Sequence, residues 1–200
     1  MPLTIVAYSD YKSPFAYVAT AGAFALERDY DVTLEWKPFT LDLETRFGGS
    51  TAQRELMLRR VKYSYMDVRR FANKQGLTIL GPQTLFDSSP AQIGMLYAQR
   101  AGVFRGYHER TFELFFRRQL DTGDIAAVAG VLREVGADPA GFAAFADGDG
   151  DAAYARIQEE AIGAGVFGVP TFFVASEMFW GGDRLGLVRE KLDGMGLRRR

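Results

Sequence analysis

The sequence predicts an α/β fold in which a large all-helical block interrupts one small sheet. Three observations point to it. A strand, a helix and a second strand follow one another within the first 38 residues; the next hundred or more residues carry their apolar positions at helical spacing; two short β-rich runs and a helix close the chain. Residues 3–8 alternate around branched apolar side chains and read as the first strand, and residues 14–28 follow as an Ala-rich helix. Residues 31–38 set Val32, Leu34 and Trp36 against Thr33, Glu35 and Lys37, which is the period of a second strand. Such a βαβ unit is expected to pair in parallel through a right-handed crossover. Helical spacing then runs through residues 55–74, 91–101, 107–120, 125–135, 140–145 and 152–164, separated by Gly, Pro or Asp. Residues 171–174 and 178–180, joined by Ala175, Ser176 and Glu177, read as a hairpin, and residues 182–192 as the closing helix.

Composition narrows the function classes. With 48% hydrophobic residues, a chain of 200 can bury a sizeable core, and its length fits one domain or one domain carrying an insertion. Lys and Arg number 24 against 25 Asp and Glu, a net charge of −1, so no broad basic field is available to hold a nucleic-acid backbone. The N-terminus MPLTIVAYSD lacks a basic region followed by an apolar one, and no stretch approaches the roughly 18 uninterrupted apolar residues of a membrane span. We expect a cytoplasmic protein with neither nucleic acid nor membrane as partner. No cysteine is present, which excludes disulfides, thiolate metal ligands and a cysteine nucleophile, and one histidine excludes a multi-histidine site, so no metal is expected. The tail GLRRR is read as solvated and frayed.

The chemistry-bearing stretches lie at the two ends. SDYKSPFAY puts Ser13 and Pro14 on a strand-to-helix turn, where the hydroxyl is either an N-cap ahead of a proline at the first helical position or a group held where a helix terminus attracts an anion. GVFGVPTFFV, residues 165–174, sets Pro170 immediately before a strand. In a βαβ…ββα order, a proline there marks the thioredoxin-like fold, in which it is cis and faces the N-terminus of the first helix. Other features take plainer readings. DGDGD, residues 147–151, starts like a calcium loop, but counted from Asp147 the sixth position is Ala152 and the twelfth Gln158, so we read a turn between helices. His108, alone on a helix, is read as structural or surface, and Phe112, Phe115, Phe116, Phe142 and Phe145 as core.

SPFAY, the run RRVKYSYMDVRRFA, the helical block and GVFGVPTFFVASEMFWGGDRL together resemble the 2-hydroxychromene-2-carboxylate isomerase and kappa-class glutathione transferase family, over nearly the whole chain. The resemblance implies a DsbA-like thioredoxin domain made of residues 1–45 and 165–200, with 46–164 as the helical insertion. Where redox relatives carry Cys-x-x-Cys, this chain has Ser13, Pro14, Phe15 and Ala16, so it cannot exchange disulfides. The family implies glutathione as cofactor and Ser13 as the catalytic residue, donating a hydrogen bond to the bound sulfur. A thiolate beside a helix N-terminus is favoured over the thiol, as it is for cysteines at such positions. Val169 and Pro170 would pair with the cysteinyl backbone, the cis bond leaving the Val169 carbonyl and amide free. Asp183 and Arg184 would hold the γ-glutamyl end, the alternative for Asp183 being a helix N-cap. Arg60 would bind glutathione and Lys62 and Tyr63 the substrate, against the alternative of an exposed basic helix face. The run GGSTAQ departs from the family, which carries Asn and a Pro-rich turn there; Ser50 or Thr51 would replace that contact. Lys12 adds a positive charge beside Ser13, against the alternative of a solvated lysine. The implied activity is glutathione-dependent isomerisation of an unsaturated aromatic keto or hydroxy acid by a homodimer acting on a small molecule. A conjugating transferase is the near alternative, and a non-catalytic thiol- or peptide-binding module, motivated by GGSTAQ, the distant one.

Overall fold

The computed structural model describes residues 1–41, 50–84 and 86–199; the expected domain boundary at 45–46 and Gly48 and Gly49 of GGSTAQ lie outside them. Strand β1 (Leu3–Ser9) pairs in parallel with β2 (Val32–Pro38), Leu3 opposite Val32 and Ser9 opposite Pro38, across helix α1 (Pro14–Asp29). On its other side β1 pairs antiparallel with β3 (Thr171–Val174), Tyr8 opposite Thr171, and β3 pairs antiparallel with β4 (Glu177–Trp180). The order is β2-β1-β3-β4. Central β1 therefore buries Ile5, Ala7, Tyr8 and Ser9, whereas edge strand β2 keeps the clean alternation read from its sequence, Val32, Leu34 and Trp36 inward and Thr33 and Glu35 outward.

Ser13 and Pro14 start α1, and its alanines let it lie close to the sheet: Ala16, Ala19 and Ala23 are buried together with Phe24 and Leu26. Between β2 and β3 come α2 (Thr51–Lys74), α3 (Ser89–Arg100), α4 (Phe104–Phe116), α5 (Ile125–Glu134), α6 (Phe142–Ala146) and α7 (Asp149–Gly163). Helix α2 starts with a reciprocal capping box between Ser50 and Gln53 and buries Val68 and Ala72 near its C-terminal end, with Tyr65 half-buried against the same core. The turn expected at DGDGD lies between two helices, at Asp147 and Gly148, but it is shorter than read, since α7 already begins at Asp149: Asp149 and Asp151 occupy its first turn, where negative charge complements the helix dipole.

One core runs without a break from the sheet, through Ile5 and Phe172, into the helical block, through Phe112 and Leu132. Tyr17 of α1 stacks on both Phe112 and Phe116 of α4, ring centroids 5.1 and 5.4 Å apart, and this stack ties the block to the first helix. After β4 a 3₁₀ turn, Gly182–Arg184, leads into α8 (Leu185–Gly194). The tail is docked rather than frayed. The chain leaving α1 exposes backbone groups that need partners, and the tail supplies them: Asp31 N donates to Leu197 O at 2.8 Å, Arg199 N to Asp29 O at 3.0 Å, and Arg199 Nε to Tyr30 O at 2.7 Å.

Candidate thiol-binding site

The sheet carries the Asp10–Ser13 turn to the start of α1 and brings it against the loop before β3. Ser13 takes extended backbone angles and caps α1, its Oγ accepting from Ala16 N at 3.2 Å. The same hydroxyl donates across the fold to Val169 O at 3.4 Å, and the Val169–Pro170 peptide is cis. The cap reading is therefore met, yet it uses only the acceptor side of the oxygen. The donor side makes a bond well beyond the usual 2.5–3.0 Å range for a hydroxyl. The Val169 carbonyl is accordingly not free, which corrects half of the expectation for that residue; its amide makes no hydrogen bond among the described residues.

A groove of about 1180 Å³ runs along α1 and takes in Val169 and Pro170, while Ser13 itself is buried and is not among the residues that line it. Phe15, Val18, Ala19 and Gly22, spaced as one helix face, line it from α1. Val169, Pro170, Trp180, Asp183 and Arg184 line it from the sheet end, Asp67 and Phe71 from α2, and Arg110 and Glu113 from α4 with Arg117 just after it. The sheet-end wall depends on two glycines. Gly181 has φ +111°, and a Cβ on Gly182 would lie 2.8 Å from that of Ala19, so the 3₁₀ turn packs on α1 only without side chains there. Asp183 lies inside that turn and pairs with Arg184 at 2.7 Å; the N-cap of α8 is Arg184, without a side-chain cap bond, so the cap reading of Asp183 is overturned.

Other expectations are displaced. Arg60, Lys62 and Tyr63 are exposed and lie one to two turns before Asp67, outside the groove lining, because among the described residues only the C-terminal end of α2 reaches the groove. Ser50 serves as the cap of α2, its amide held by Gln53 Oε1 at 2.7 Å. Lys12 is neither solvated nor aimed at Ser13: its Nζ donates to Leu41 O at 3.3 Å and lies 4.0 Å from Asp10, its side chain 10% exposed. Asp10 itself is fully buried, a residue that the sequence reading missed although an Asp two positions before Lys12 is an Asx-turn signature. Burial raises its carboxyl above the ordinary value, while Lys12 and the donors on Lys12 N, Leu41 N and Ser88 Oγ pull it back.

His108 stands apart from the groove. It is fully buried, with Tyr11 OH 3.2 Å from Nδ1, and burial lowers its pKa to about 3, so it is neutral at physiological pH. Among the described residues no group of three or more His, Asp or Glu is placed to hold a metal ion, and no helix is long and apolar enough to cross a membrane.

The sheet is of thioredoxin type, and the N-terminus of α1, capped by a serine in a chain without cysteine, faces a cis-proline. Residues 4–193 match the DSBA-like thioredoxin domain, and the chain belongs to that family. It is 26% identical over 194 residues to a 2-hydroxychromene-2-carboxylate isomerase of Sphingobium xenophagum, covering 96% of this chain and 99% of that protein. A solved 2-hydroxychromene-2-carboxylate isomerase superposes with a TM-score of 0.77 at 26% identity, covering 96% of each chain. A cytosolic disulfide reductase of Pseudomonas aeruginosa, DsbM, solved with glutathione, shares the fold with a TM-score of 0.60 at 17% identity, covering 97% of this chain and 98% of that one.

Proposed function

We propose that the chain is a glutathione-dependent isomerase of an unsaturated aromatic keto or hydroxy acid, of the kind its relatives are named for. The observation that carries this reading is the Ser13 hydroxyl, held at the N-terminus of α1 with its proton on a long bond to Val169 O in a chain without cysteine. The groove fits glutathione in three respects. Its volume is above the roughly 300–1,000 Å³ usual for one small ligand, leaving room for a second. The Val169 amide has no partner within the described chain, and the mouth offers an exposed carboxylate and guanidinium at Asp183 and Arg184.

Glutathione held there would supply a sulfur nucleophile for reversible addition to a conjugated double bond, chemistry that permits rotation about that bond with no net consumption of the thiol. The chain's own residues do the rest. Ser13 turns its proton from Val169 O to the sulfur and, with the helix terminus, favours the thiolate. Val169 and Pro170 take the cysteinyl backbone, Asp183 the ammonium group, and Phe15, Val18 and Phe71 shelter an apolar ring. The same resemblance implies a homodimer, measurable by light scattering.

Two measurements test the reading. Glutathione at about 100 times its dissociation constant should stabilise the fold by about 2.7 kcal/mol in a thermal-shift titration, and no shift with any low-molecular-weight thiol would overturn it. Over many turnovers the free glutathione concentration should stay constant; stoichiometric loss would make the protein a conjugating transferase instead.

A further inference from the structure

We propose that Asp10 is the positioning residue for the Ser13 hydroxyl, its two carboxylate oxygens fixing the turn that carries Ser13 to both the segment after β2 and the start of α3. The proposal rests on the reading that Ser13 donates to a bound thiolate. Asp10 closes the turn twice: its carbonyl accepts from Ser13 N at 2.9 Å, and its Oδ1 accepts from Lys12 N at 3.0 Å. The same Oδ1 accepts from Ser88 Oγ at 2.8 Å, beside α3, while Oδ2 accepts from Leu41 N at 2.8 Å. Lys12 Nζ, 4.0 Å from Oδ2 and bonded to Leu41 O, closes the circuit.

A turn of this shape needs only one acceptor, which an asparagine supplies. This site needs two. With Asn, one orientation sets an NH₂ against the Leu41 N–H and the other sets it against Lys12 N–H and Ser88 Oγ, so at least one donor faces a donor. A fully buried charge is therefore kept where a neutral residue would make the turn alone, and the extra bonds hold Ser13 to segments that are distant in sequence. Exact placement matters at Ser13 because its donor bond is already 3.4 Å long, and a shift of a few tenths of an ångström changes which acceptor it meets.

The test is the pKa of the bound glutathione thiol, read from thiolate ultraviolet absorbance at saturating glutathione in the parent, Asp10→Asn, Ser13→Ala and the double variant. Loss of positioning should raise the thiol pKa in Asp10→Asn by on the order of one unit, a tenfold smaller thiolate fraction below the pKa, with no further shift beyond Ser13→Ala in the double variant. If Asp10 were only a nearby negative charge, its removal would lower the thiol pKa, and that result or no change would overturn the proposal while Ser13→Ala still shifts. If Ser13→Ala does not shift either, the reading beneath the proposal falls and takes it along. Should Asp10→Asn fail to fold, Ser88→Ala decides: it removes one bond to the carboxylate and should raise the thiol pKa by a smaller amount in the same direction, whereas an unchanged titration overturns the proposal.

Discussion

His108 shows how far one residue's chemistry is set by its enclosure. The rings of Tyr11, Trp36, Phe104 and Phe112 surround it, with centroids 4.6–5.4 Å from its own. Desolvation lowers its pKa from 6.5 to about 3. A depressed folded pKa gives stability that is complete above the unfolded value and is lost as pH falls toward the folded one, here from pH 6.5 downward, at about 1.4 kcal/mol per pH unit for one proton. Asp10, raised by burial, acts with the opposite sign, so the informative quantity is a difference between variants. Urea unfolding between neutral pH and about pH 5 should show His108→Phe with a flatter loss of stability than the parent; equal slopes would contradict the burial argument. From the sequence, a lone histidine on a helix was open between core and surface. Tyr11, which settles it, stands 97 positions away.

Among the elements, the strands and most helices were legible because their periods are strong: β2 alternates residue by residue as its sequence does, and the βαβ and hairpin orders stand as read. The misreadings are at ends, where local composition misleads. DGDGD turns the chain between helices only at Asp147 and Gly148; from Asp149 it is already α7, since acidic side chains suit a helix start. GLRRR looks like a solvated tail, yet its backbone and Arg199 complete the bonding of residues 29–31. Deleting residues 197–200 removes these three bonds together with that of Arg198 Nη2 to the Tyr30 hydroxyl; the three alone, at about 1 kcal/mol each, set a lower bound, and for a chain of this size about 2–4 °C accompanies each kcal/mol. A melting temperature lower by roughly 6–12 °C is expected, with the stabilisation by glutathione preserved because residues 29–31 do not line the groove. An unchanged melting temperature would return the tail to the frayed state read from its sequence.

Across the whole molecule, the groove lies where the sheet end, α1 and the helical block meet, and one continuous core joins those parts. That explains which site residues were visible beforehand. Of the groove lining, Val169, Pro170, Asp183 and Arg184 sit in compact motifs, as does Ser13 beside it, while Asp67, Phe71 and Arg117 become neighbours of the groove only through packing, and Asp10 gains its partners from three segments. We propose that this arrangement holds a thiolate at Ser13. Ser13→Ala should keep the fold, since a lost N-cap costs about 1 kcal/mol. It should also remove a charge-assisted hydrogen bond worth roughly 1.5–3 kcal/mol, which at 1.36 kcal/mol per unit raises the pKa of the bound glutathione thiol by about 1–2 units. Thiolate absorbance against pH at saturating glutathione reads this directly. A rise of that size is the predicted result; a variant that loses stability while the bound thiol titrates as in the parent would make Ser13 a helix cap and nothing more.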